Sequence, residues 1–211
     1  MAADFQQSWV RAWRGCGARD DGLDVMRSVL ARYGEAHRHY HTKQHLAECL
    51  DAFEGARGLP PHPADVEMAI WFHDAIYDAR RHDSEQLSAE WARHALLTSG
   101  APVDVAQRVH DLVLATKHAG VPVALDGQVL VDVDLAILGA PPPRFVQYES
   151  QIRAEYAHVP IWTFRWKRAE ILRGFLARTR IYNTPYFHEQ LEERARQNLV
   201  RAIGAGVDDS I

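Results

Sequence analysis

Apolar residues recur along most of this chain at spacings of three and four. Phe5, Trp9, Val10 and Trp13 share one helix face, and Leu23, Met26, Leu30 and Tyr33 repeat the pattern up to a stop at Gly34. Leu46, Leu50 and Phe53 extend a helix from His45, and the run of Gly55, Gly58, Pro60, Pro61 and Pro63 ends it in a loop. Pro63 suits a helix start, after which Val66, Ala69, Ile70 and Phe72 lead into His73 and Asp74. Further helices are predicted over 84–97, 103–116, 145–156, 165–176 and 185–203. The segment 127–138 fits helix or strand by pattern alone and is assigned as helix.

No run of period-two strands and no strand–helix alternation occurs, which argues against Rossmann-type and barrel architectures. The expectation is therefore an all-α protein. Short loops give no reason to divide it, so 1–211 is expected to be a single domain, with a core over 5–203 and a frayed tail over 204–211. The 211 residues suffice for a sizeable core, and 47% hydrophobic with 25% charged residues is ordinary for a globular chain.

A formal net charge of −4 argues against broad nucleic-acid binding, which needs a strongly basic surface. The longest apolar runs, such as 129–138, are short and broken by Asp132 and Asp134, so no membrane span is expected. Residues 1–10 lack a basic region followed by an apolar block, so no signal peptide is read and a cytoplasmic location is expected. Cys16 and Cys49 have neither metal-type nor redox-type spacing and are read as reduced structural or surface thiols.

Histidine is the outlier. There are 12, and His37, His39, His41 and His45 fall within nine positions. On a helix, His41 and His45 would lie one turn apart, about 40° around the axis, and face one point. A second element, Phe72-His73-Asp74, sets a carboxylate and an imidazole in an apolar helix. Burying Asp74 without a partner is costly, and a metal ion would satisfy both side chains at once. A third element, Asp132-Val133-Asp134, places two carboxylates in an apolar segment. If that segment is helical they diverge by about 200°, so one of them serves as ligand and the other has a different role.

The order His45, His73-Asp74, Asp134 resembles the HD-domain superfamily of metal-dependent phosphohydrolases: a lone His, a His-Asp doublet, then a distant Asp on another helix. The likeness extends to a small bacterial family of HD phosphohydrolases, through Tyr40-His41 to His45, Phe72 to Tyr77, Glu85 with Ser88-Ala89, Thr116 with His118, Asp132 to Gly139, and Ile152 to Tyr156. It covers about residues 5–200. Ser84 departs from it, standing where that family has Asn before the Glu.

The resemblance implies an HD-type helical bundle and a divalent metal held by His45, His73, Asp74 and Asp134, with Asp132 the alternative to the last. The ion would be Mn, Fe, Ni, Co, Zn or Mg, one or two of them. It implies a phosphomonoesterase or phosphodiesterase acting on a nucleotide or other small phosphorylated metabolite. Asp74, Glu85 and His118 are the candidate catalytic residues, with His41 a further ligand or proton carrier. Lys43, Lys117 and Arg153 are the candidate phosphate contacts, and the basic stretch Arg165 to Arg180 is read as a solvated face, with Trp162, Phe164 and Trp166 packing. The rivals are an HD-type di-iron oxygenase and a metal-stabilised binding module without turnover. Homo-oligomerisation is allowed by the sequence and not specified by it.

Overall fold

The computed structural model describes residues 4–118 and 120–208, and among these it holds ten α-helices, one 3-10 helix and no strand. The protein is all-α. It separates into two compact units, Met1–Asp134 and Leu135–Ile211, each described here by itself.

The first unit is built from α1 (Phe5–Gly15), α2 (Leu23–Arg32), α3 (Lys43–Ala56), α4 (Pro63–Phe72), α5 (Ser84–Thr98), α6 (Val103–Ala115) and α7 (Leu125–Asp134). Its axis is α4, in which every residue from Asp65 to Phe72 is buried. A helix apolar on all sides needs neighbours on all sides, and α4 packs against α1, α3, α5, α6 and α7. The aromatic spacing of α1 explains one of these contacts. Trp9 and Trp13 stack with ring centroids 5.0 Å apart, and Trp9 meets Trp71 of α4 edge to face at 5.1 Å.

Local signals set the helix ends. The Asp4 carboxylate caps α1 by accepting from the Gln7 amide. Gly100, at φ +81°, ends α5: its N–H donates to Leu97 and that of Ala101 to Leu96, a Schellman turn that reverses the chain into α6. Gly22, at φ +57°, lies so close to Trp13 that a Cβ would stand 2.4 Å from the indole, so both backbone and space require glycine.

The second unit holds the 3-10 helix Leu135–Gly139, α8 (Pro142–Glu155), α9 (Ile161–Leu176) and α10 (Pro185–Asp208). The 3-10 helix packs against α8 and α10, and α9 packs against α10. Side chains of α10 take up carbonyls left open by the short helix: Asn198 donates to Leu138 and Ala140, and Arg194 to Gly139.

Three expectations need correction. The helix over 127–138 does not run through; it ends at Asp134 and tightens into the 3-10 turn. Helix α9 begins at Ile161, straight after Pro160, rather than at Arg165. The last helix does not end at 203, because α10 continues to Asp208; residues 209–211 lie outside the described residues.

Candidate metal centre

The side chains of His45, His73, Asp74 and Asp134 meet at the C-terminal end of α4. His45 comes from the first turn of α3, His73 is the residue at which α4 stops, Asp74 follows in the turn, and Asp134 closes α7. The doublet is thus at a helix end, not inside a helix. Leaving the helix lets two adjacent side chains turn to one point, which a fixed advance of about 100° per residue would hinder.

The Nε2 atoms of His45 and His73 lie 3.1 Å apart. Asp74 Oδ2 is 3.4 Å from the first and 3.0 Å from the second, and Asp134 Oδ1 is 3.4 and 3.6 Å from them. Donors each about 2.1 Å from one ion stand about 3.0 Å apart at right angles and about 3.4 Å apart at the tetrahedral angle. The observed separations of 3.0 to 3.6 Å therefore fit a single divalent ion. His73 Nδ1 lies 2.8 Å from the Ile70 carbonyl, a bond that places the ring proton on Nδ1 and turns the Nε2 lone pair toward the cluster. Both rings are buried, His45 at 1% and His73 at 2% exposure.

The charges respond to this crowding. Burial alone would raise both carboxyls, yet His73, His41 and His45 hold Asp74 well below the usual carboxylate range. Against the same burial, His118, His45 and His73 hold Asp134 well below it. Burial would lower the two imidazoles, but Cys49, Tyr40 and the two carboxylates hold His45 well above the usual value, and Asp74, Tyr33 and Asp134 do so for His73. Positive charge is what this cluster calls for.

His118 Nε2 lies 2.9 Å from Asp134 Oδ2, the oxygen turned away from the other donors. It holds a left-handed backbone at φ +52°, uncommon for a residue with a side chain and a place to look for function. His41 is not a turn before His45 on one helix, because α3 starts at Lys43 behind the cap residue Thr42. Its ring still sits 5.9 Å from that of His45 and stacks on Tyr77 at 3.9 Å. Asp132 is buried.

Lys43 and Lys117 are exposed near His45 and His118 in sequence. Glu85 is half-buried in the first turn of α5 and makes no ion pair or hydrogen bond among the described residues. Arg153 belongs to the second unit, where it donates to the Tyr156 and Val159 carbonyls and covers the Phe164 ring. Trp162 and Trp166 do not pack; they are 64% and 61% exposed.

Three contributors were given no role at the site by the sequence. The Arg38 guanidinium, fully buried, donates to the carbonyls of Asp74 at 2.6 Å, Ala75 at 3.0 Å and His41 at 3.3 Å, and so ties the His-Asp turn to the segment ahead of α3. From the α5 side, the Ser88 hydroxyl accepts from the Ile76 amide and donates to its carbonyl. Cys49, one turn after His45 on α3, brings its sulfur into the cluster: the donor atoms of His45, Cys49, His73 and Asp134 all lie within 4.8 Å of one another. The His-x3-Cys spacing was the available signal for the thiol. No family model, curated protein or solved structure matches the chain.

Proposed function

We propose that the chain is a metal-dependent phosphohydrolase of the HD type, cleaving a phosphomonoester or phosphodiester in a nucleotide or other small phosphorylated metabolite. The observation that carries the reading is the convergence of two imidazole nitrogens and two carboxylate oxygens, on three separate elements, at separations one divalent ion would span. No helix among the described residues is long and apolar enough to cross a membrane, in keeping with a cytoplasmic enzyme acting on a diffusible substrate.

A divalent ion held there would supply an acidified water as nucleophile and charge neutralisation at a phosphoryl oxygen. The protein's part is to hold and orient. His45, His73 and Asp134 would hold the ion, and Asp74, with 16% of its side chain exposed, borders the side open to solvent. His118 holds Asp134 through Oδ2 and is the candidate for carrying a proton to a leaving group. Glu85 is the candidate for orienting the water, and Lys43 and Lys117 for contacting phosphate.

The test is elemental analysis of purified wild type and the His73→Ala/Asp74→Ala double variant, with both assayed on a panel of phosphate monoesters and diesters in added manganese, nickel, cobalt or magnesium. The expected result is stoichiometric metal and metal-dependent phosphate release in the wild type, both lost in the variant. Metal without turnover on any ester would overturn the hydrolase, and no metal after reconstitution would overturn the centre itself.

A further inference from the structure

The cluster contains one more soft donor than the proposed reaction needs. Cys49 is 3% exposed, and among the described residues the only atoms within hydrogen-bond reach of its sulfur are the nitrogens of the His45 ring, at 3.6 Å for Nδ1 and 3.7 Å for Nε2. Those near-equal distances matter. A bond along either N–H direction would leave the other nitrogen clearly farther from sulfur, so the thiol lies beside the ring and off the line of both. It neither fixes the His45 tautomer nor has another acceptor or donor to engage. What lies within its reach is the donor set of His45, His73 and Asp134.

Coordination is within reach of a change in the Cys49 side chain. With sulfur about 2.3 Å and nitrogen about 2.1 Å from a shared zinc-like ion, the two donors stand about 3.6 Å apart at the tetrahedral angle. The observed Sγ to Nε2 separation is 3.7 Å, but with Nδ1 at 3.6 Å the sulfur stands beside the ring between the two nitrogens. Binding therefore calls for a change of Cys49 rotamer that carries the sulfur to the Nε2 side and draws in a set that now spans up to 4.8 Å. On coordination the thiol proton leaves to solvent and the sulfur binds as thiolate.

We propose that Cys49 is a sulfur ligand of the metal held by His45, His73 and Asp134, and that the centre consequently selects zinc, cobalt(II) or iron(II) over magnesium and manganese. Hard oxygen-seeking ions gain little from a thiolate, whereas the softer ions gain much. The inference rests on the metal-centre reading above and extends it to the class of ion.

Cobalt(II) titration of the metal-free full chain separates the two claims, because cobalt reports sulfur ligation by a near-ultraviolet charge-transfer band and occupancy by its visible ligand-field bands. The wild type is expected to show both band sets at one equivalent. Cys49→Ser is expected to keep the visible bands and lose the charge-transfer band, with its zinc-over-manganese preference reduced by about tenfold or more. Cys16→Ser should leave the spectrum unchanged, since burial and the neighbouring Asp65 hold that thiol protonated. A cobalt-loaded wild type without the charge-transfer band overturns the sulfur ligand and leaves the metal centre standing, whether or not Cys49→Ser folds. A band that survives in Cys49→Ser also overturns it. Failure of the wild type to bind cobalt at all overturns both.

Discussion

Helix α4 carries a buried carboxylate near its middle and another just past its end, and they are treated in opposite ways. Glu67 is 1% exposed and surrounded by fixed donors: Ser8 at 2.7 Å, Arg11 at 2.5 Å and Arg57 at 3.1 Å. Asp74 faces imidazoles, which carry charge only when protonated, and its oxygen shares the space with a second carboxylate, Asp134. The first arrangement is complete at any pH where glutamate is ionised. The second balances only with protons or a metal cation, and a metal is the better match because it satisfies the facing Nε2 lone pairs as well. The difference teaches how to tell a structural ion pair from a site: the structural carboxylate has guanidinium partners, and the functional one has partners that can themselves be ligands.

The largest effect should come from removing one of those partners. His73→Ala is expected to abolish metal binding. In the wild type, zinc at about a hundredfold over its dissociation constant should stabilise the fold by about 2.7 kcal/mol, and in His73→Ala that rise in melting temperature should vanish. An equal zinc-dependent rise in both would erase the contrast with Glu67. Next in size, Glu67→Gln should cost about 2–4 kcal/mol, less than for a wholly buried pair because Arg11 and Arg57 remain partly solvated. It should leave metal stoichiometry unchanged in a parallel measurement, and loss of metal there would mean that the two ends of α4 are not independent.

How far the sequence reaches is visible in the same elements. Most of the helices follow from period-3.6 patterning, because an apolar face needs a neighbour, whereas α4 is apolar on all sides and α7 fitted helix or strand by pattern alone. Boundaries follow less well. A stop such as that after Phe72 depends on tertiary bonds from Arg38 and Ser88 to the turn, made over 36 and 12 residues of separation, and no local signal in the His-Asp doublet announces it. The change from α-helix to 3-10 helix after Asp134 has the same character, since Tyr182 and Asn198 take the Leu135 and Leu138 carbonyls. Metal-ligand residue types at spaced positions were readable because two histidines and several aspartates in apolar stretches are costly without a purpose. Arg38 was not, since an arginine within a polar run is ordinary until its carbonyl partners are known.

Arg38 sharpens the comparison by a smaller amount. It is a cation at the His-Asp end of α4, yet it touches backbone carbonyls and not the Asp74 carboxylate, so its role is to hold the turn. Arg38→Lys keeps the charge and loses the three-carbonyl clamp. The expected result is a metal dissociation constant raised about 10–100-fold with stoichiometry retained at saturation. An unchanged constant by competition with a chelating dye would show that Ser88 and packing hold the turn without it.

The smallest effect tests whether the complete kind of knot recurs in the second unit. Glu192 accepts from the Ile181 and Tyr182 amides and pairs with Arg196, which also caps the end of α9 through the Leu176 carbonyl. Burial would raise this carboxyl, but the two amides and the guanidinium outweigh it and hold its pKa below the ordinary 4.5. A folded-state value below the unfolded one means the stabilisation is present above the unfolded pKa and is lost as pH falls through the folded one. Glu192→Gln should therefore cost about 1–3 kcal/mol at neutral pH, read locally as faster hydrogen exchange at the Ile181 and Tyr182 amides. The gap between variant and wild type should close as pH is lowered from about 6 to about 3, because acid converts the wild-type side chain to a neutral one. A gap independent of pH would assign the effect to packing around Glu192 instead of its charge, and the second unit would then lack the counterpart of Glu67.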